Sequence, residues 1–142
     1  MSFPDPIVGL VVSYSYLWAN ESERGQEEGL KNRPCAIVLV REQVEGLPLV
    51  TVAPITHTSP SDLKSALEIP PKVKQHLGLD SERSWVIAAE VNSFIWPGPD
   101  LVPIGEGKYD FGVLPPAFFN QIKQRIAALA AERKAKVVKR TE

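Results

Sequence analysis

Apolar positions in this chain come in short runs separated by polar stretches rich in glycine and proline, a rhythm of short strands with few long helices. Residues 7–12 form the first run, rich in β-branched side chains, and predict a strand. Residues 13–32 are polar, carry Gly25, Gly29 and a cluster of acids, and predict a long loop with at most a short helical turn. A loop of roughly 20 residues inside a small domain is uncommon unless it serves a function. Residues 35–40 are apolar throughout and predict a strand buried on both faces. After turn material at residues 45–48, residues 49–55 predict a third strand, with Pro54 near its end, where a missing N–H is tolerated at an edge or bulge.

Residues 57–62 read as a polar loop and residues 66–69 as a short strand. Pro70 and Pro71 then open a short helix over residues 72–77, which Gly78 ends. Residues 84–91 predict a further strand, and Trp96-Pro97-Gly98-Pro99 breaks whatever follows. Pro115 and Pro116 start the one long helix, with Phe118, Phe119, Ile122, Ile126 and Leu129 at helical spacing. Five or six short strands and one amphipathic C-terminal helix predict a mainly β fold, a small, strongly curved antiparallel sheet or partly closed barrel.

Composition narrows the class. With 142 residues, 44% apolar, 23% charged and a net charge of −1, the chain has the make-up of one soluble globular domain, assigned to residues 1–131, followed by a basic tail at 132–142. Thirteen prolines fit short strands and shaped loops. No apolar run approaches the roughly 18–20 residues of a membrane span, and the N-terminus lacks the basic and apolar regions of a signal peptide, so a cytoplasmic protein is expected. Cys35 is the one cysteine, which excludes an intrachain disulfide and a multi-cysteine metal site. The small net charge hides an asymmetry: residues 1–30 carry −4 and residues 132–142 carry +3. Such a basic run can attract phosphate, although it more often forms a solvated end.

No phosphate-binding glycine loop, dinucleotide fingerprint or nucleophile elbow is present, and His57 and His76 lack metal-ligand spacing. No metal or other cofactor is expected. Two features invite a chemical reading. Glu28 and Arg33 lie just before a buried strand, an acid and a guanidinium held near one another, with a weak surface ion pair as the plain alternative. Pro54-Ile55-Thr56-His57 places a hydroxyl and an imidazole at the exit of another strand. Trp18 and Trp96, in loop and turn, can stack on bases or pack, whereas Trp85 reads as core.

The stretch Gly25-Gln26-Glu27-Glu28-Gly29-Leu30-Lys31-Asn32-Arg33-Pro34, leading into the strand Cys35-Ala36-Ile37-Val38-Leu39, resembles the MazF/PemK family of toxin endoribonucleases from bacterial type II toxin–antitoxin systems. Val52-Ala53-Pro54-Ile55-Thr56 matches a second family block, and residues 84–93 match a third loosely. The resemblance covers roughly residues 7–131. It implies an SH3-like β-barrel with a C-terminal helix (the MazF/CcdB-like toxin fold) that dimerises, cleaves single-stranded RNA without a metal and is silenced by an antitoxin; the toxin–antitoxin complex also binds operator DNA. It carries over Glu28 as the base for the 2′-hydroxyl, Arg33 as the cation at phosphorus and Thr56 as a phosphate-orienting group. His57 is an additional acid–base candidate, and Lys31, Trp18, Asn92 and Trp96 are candidate RNA contacts. In the third block, Glu90-Val91-Asn92 departs from relatives that have a glutamine followed two residues later by a basic side chain. The rival readings are a non-catalytic binding protein on the same barrel, poisoning a topoisomerase or binding nucleic acid or protein, and an inactive orphan toxin.

Overall fold

The structure, a computed structural model, describes residues 3–23, 32–42, 45–132 and 134–140. Its framework is a mainly β sheet of eight strands: β1 (Leu10–Ser15), β2 (Asn32–Glu42), β3 (Pro48–Thr56), β4 (Ala66–Glu68), β5 (Trp85–Ile87), β6 (Glu90–Ile95), β7 (Asp110–Val113) and β8 (Lys136–Lys139). Three helices accompany it: α1 (Ala19–Glu23), α2 (Pro71–Leu77) and α3 (Pro116–Ala131). The strands run in the order β4-β5-β3-β2-β1-β7, with β6 also paired to β3 and β8 to β6. All pairings are antiparallel except β6 with β8. No described helix is long and apolar enough to cross a membrane.

Strand alternation gives the sheet two apolar faces. Val11, Ala36, Ala53, Ile55 and Val86 point outward, where α2 and α3 cover them with Val73, Leu77, Phe118, Phe119, Ile122 and Leu129. Burying each of these large side chains stabilises by about 1.5–3 kcal/mol, which explains the single apolar stripe of α3. The opposite, inner face carries Leu10, Val12, Tyr14, Cys35, Ile37, Val50, Val52, Phe94 and Trp96.

The inner face is concave. In a flat sheet β1 and β6 would lie three strand spacings apart, about 14 Å. Yet the rings of Tyr14 on β1 and Phe94 on β6 stack with centroids 4.6 Å apart. Backbone pairing does not close this curl among the described residues; side chains bridge it. Asn92 of β6 reaches past the end of β1 and binds Leu17, its Oδ1 accepting from the Leu17 N–H at 2.9 Å and its Nδ2 donating to the Leu17 carbonyl at 2.8 Å. Arg140, just after β8, donates to the Ser15 carbonyl at 2.8 Å and pairs with Asp100 at 3.0 Å.

Several elements differ from the sequence expectation. The first strand starts three residues late: Ile7 and Val8 are half exposed, and Gly9, at φ +89°, turns the chain into the sheet. A Cβ on Gly9 would also lie 3.4 Å from the Val113 side chain. β1 then continues through Ser13 and Ser15, because Tyr14 extends its inner apolar alternation. The run expected as one strand at 84–91 divides in two, since β5 and β6 pair with successive stretches of β3. β7 and β8 were not expected, and β8 makes the basic tail part of the sheet. α2 and α3 form as expected, with Gly78 at φ 69° capping α2.

Candidate functional site

Arg33 sits near the start of β2 and shares its face with Cys35 and Ile37, so it belongs to the rim of the concave inner face. Continuing the β2–β3 register from Cys35 opposite Pro54 by two residues sets Arg33 opposite Thr56. Thr56 alternates with Val52, so it too belongs to the inner side. The same extension of the β3–β6 register, from Val52 opposite Asn92, sets Pro54 opposite Glu90. One end of the sheet thus gathers Arg33, Thr56 and Glu90.

The chain leaving β1 completes this rim. Trp18 lies under Arg33, with the guanidinium carbon 5.0 Å from the ring centroid, a cation–π contact. Tyr16 meets Trp18 edge-on at 5.0 Å. Its hydroxyl donates to Glu90 Oε1 at 3.0 Å, and the Ala19 N–H donates to the same oxygen at 2.9 Å. Burial holds the Glu90 carboxyl above the usual glutamate range; Glu21 adds repulsion, against the two hydrogen bonds and the attraction of Lys136. Burial also pushes the Cys35 thiol far up, so Cys35 is a core residue and not a nucleophile.

Arg33 is distinguished by what it lacks. Its Nε is buried and has no hydrogen-bond partner among the described residues. Arg83 makes a similar stack, 5.0 Å over Trp85, but its guanidinium is held in a two-pronged pair with Glu68 at 2.8 and 2.9 Å. No ion pair forms at Arg33 among the described residues, whereas the Arg83 charge is compensated. Arg83 and Trp85 line a surface groove of about 370 Å³ together with Leu63, Phe118, Gln121 and Arg125. The Arg83 of that groove is already neutralised by Glu68.

The structure sorts the remaining candidates. Glu28 and Lys31 lie outside the described residues. Thr56 is half-buried, and its hydroxyl oxygen accepts from the Thr58 N–H at 3.1 Å. His57 is exposed just past the end of β3, and its Nε2 contacts Asp80 at 2.9 Å and Glu82 at 4.0 Å. Asn92 is fully buried with its amide engaged by Leu17, and Trp96 is packed into the inner core, so both are withdrawn from contact with RNA. Trp85 is core, as expected.

His57, Asp80 and Glu82 present donor atoms within 4.8 Å of one another, donor types suited to a divalent metal. Asp80 already receives the buried Lys74 ammonium at 2.7 Å, which lowers its carboxyl pKa, and the same ammonium binds Ser84 Oγ at 2.7 Å and the Glu82 carbonyl. Asp80 thus ties the Lys74 ammonium, through Oδ1, to His57, through Oδ2, and the group fastens the loop after α2. Sequence reasoning missed Lys74, Tyr16 and Arg140: each looks like an ordinary side chain until the fold supplies its partners. No protein-family model and no curated protein matches this chain.

Proposed function

We propose that this chain is a metal-independent endoribonuclease of the MazF/PemK type, the toxin of a type II toxin–antitoxin system, built on an SH3-like barrel. The observation that carries the reading is Arg33: a guanidinium stacked on Trp18, unpaired among the described residues, two residues beyond the last β2–β3 pair at the end of the sheet where Thr56 also lies. A cation for phosphate beside an aromatic face for a base suits single-stranded RNA. The curled sheet with its C-terminal helix is compatible with the barrel.

RNA supplies its own nucleophile. The 2′-oxygen bonds to phosphorus as its proton passes to a base, the P–O5′ bond breaks, and the leaving oxygen is protonated; a 2′,3′-cyclic phosphate and a 5′-hydroxyl result. In this reading Glu28 is the base, Arg33 stabilises the charged phosphorane through its planar donors and Thr56 orients the phosphate. The partners of this reading are single-stranded RNA, a second copy of the chain, and an acidic antitoxin whose charge pairs with Arg33, Lys31 and the exposed Lys136 and Lys139. Operator DNA is bound through the toxin–antitoxin complex.

The test is incubation of the purified protein with single-stranded RNAs of mixed sequence in the presence of a chelator. Cleavage to cyclic-phosphate ends is expected, with Arg33→Ala inactive and still folded by circular dichroism. RNA that is bound but left intact would favour the non-catalytic binding protein, and RNA neither bound nor cut would overturn both readings.

A further inference from the structure

What sets the direction of Arg33 is not its own strand. Its guanidinium rests on the Trp18 ring, and Trp18 lies beyond the end of β1, on a stretch with no strand ladder of its own. Two side chains of β6 and one of α1 fix that stretch, Glu21 Oε1 accepting from the Trp18 N–H at 3.1 Å. Asn92 grips both sides of the Leu17 backbone, and Glu90 Oε1 collects the Tyr16 hydroxyl and the Ala19 N–H, one residue pair on either side of Trp18. The Tyr16 ring then braces Trp18 edge-on at 5.0 Å. Removal of the Glu90 carboxylate would free the Tyr16 hydroxyl and the Ala19 N–H, and leave the stretch held by Asn92 at Leu17 and by Glu21 and Ser22 at the Trp18 backbone.

We propose that Glu90 is a positioning residue for Arg33, acting through the Tyr16 hydroxyl, the Ala19 N–H and the Trp18 ring on which the guanidinium rests. This rests on the reading of Arg33 as the phosphate-facing group, but the geometry it asserts exists without RNA. Its charge is also responsive: Glu21 from α1, Lys136 from β8 and the Tyr16 hydroxyl face it, and burial with Glu21 repulsion favours its protonated form. Protonation weakens both hydrogen bonds, so the Arg33 stack should loosen as Glu90 takes up its proton, at a pH above that of an ordinary glutamate.

The experiment is nuclear magnetic resonance of the full chain without RNA, following the Arg33 Nε–Hε signal, identified by its loss in Arg33→Lys. Stacking over an indole moves this signal upfield, and Trp18→Leu should abolish the displacement. In the native chain the displacement is expected to shrink as pH falls through the Glu90 titration. Glu90→Gln, whose amide oxygen can accept both hydrogen bonds, should keep the displacement and lose its pH dependence; Glu90→Ala should lose most of it. Tyr16→Phe, which removes one bond and keeps the ring, should weaken it in the same direction and serves where Glu90→Ala does not fold. A displacement unchanged in Tyr16→Phe and Glu90→Ala, or a pH response that persists in Glu90→Gln, would overturn the proposal. In the cleavage assay Glu90→Ala should lower kcat/KM about tenfold or more while Glu90→Gln stays near the native value at pH 7. A native chain that leaves RNA intact while its Arg33 signal still answers to Glu90 would remove the nuclease reading and leave the positioning role standing.

Discussion

Arg140→Ala probes the side-chain bridge between β8 and the end of β1. The guanidinium is almost fully buried, 3% exposed, and lies 3.0 Å from Asp100, which is itself 19% exposed. It also donates to the Ser15 carbonyl at 2.8 Å, to Asn92 Oδ1 at 3.1 Å and to the Tyr14 hydroxyl at 3.3 Å, and it lies over the Tyr14 ring. Deleting one partner of a buried ion pair costs about 3–5 kcal/mol, because the other charge is left without compensation. The residual exposure of Asp100 places the expectation at the lower end, about 3 kcal/mol. For a chain of this size that lowers the midpoint of thermal unfolding by roughly 10 °C. Urea and thermal unfolding, followed by the fluorescence of the buried tryptophans, measure the loss directly. Lys139→Ala, an exposed neighbour on the same strand, is the control and should stay within about 0.5 kcal/mol. A cycle with Asp100→Ala should show a coupling of about 1–3 kcal/mol. If Arg140→Ala behaves like Lys139→Ala, Arg140 does not bridge the curl and the basic segment is the solvated tail its composition suggests.

On the proposed nuclease reading, Trp18→Ala should weaken binding of an uncleavable 2′-O-methyl RNA by about 1–3 kcal/mol in fluorescence anisotropy, measured on protein shown folded by circular dichroism because Trp18 also packs on the inner core; unchanged affinity would remove Trp18 from that reading. The Cys35 thiol, fully buried and pushed up by desolvation, should resist a disulfide reagent in the native protein and react at the rate of opening, so prompt labelling would contradict the inner core. Asp80 is held below the usual carboxylate range by the hydrogen bond from Lys74, so its contribution is present above the unfolded pKa and is lost as pH falls through the folded value. Asp80→Asn should therefore reduce stability at pH 7 and flatten the acid limb of the stability curve below about pH 4; an acid limb parallel to that of the native chain would sink the linkage. Glu90 has the opposite sign: its folded pKa is raised, so its charge disfavours folding above that value and the penalty is relieved as pH falls. Glu90→Gln should accordingly match or exceed native stability at pH 7 and lose that advantage near pH 4, as read by urea midpoints at the two pH values.

Local pattern alone determined the elements whose signals lie within their own residues. Pro71 with Gly78 bounded α2, the stripe from Phe118 to Leu129 marked α3, and the unbroken apolar run after Pro34 marked β2, because propensity, capping and burial there agree with one another. Arg33 and Thr56 were also legible as residue types at strand ends. What the sequence could not convey was which strand ends meet. β7 and β8 are short and polar-flanked, and they become strands only when Val11 and Val91 offer partners across the sheet. His57 follows Thr56 by one residue, yet it lies past the end of β3 and meets Asp80 of the loop after α2. Glu90, a bare departure from a motif in the linear chain, becomes a hydrogen-bond anchor because the curl brings residues 16 and 19 to it across the intervening strands. Alternation and capping are local and can be read one residue at a time; pairing across seventy residues depends on curvature, and curvature is a property of the packed inner face as a whole.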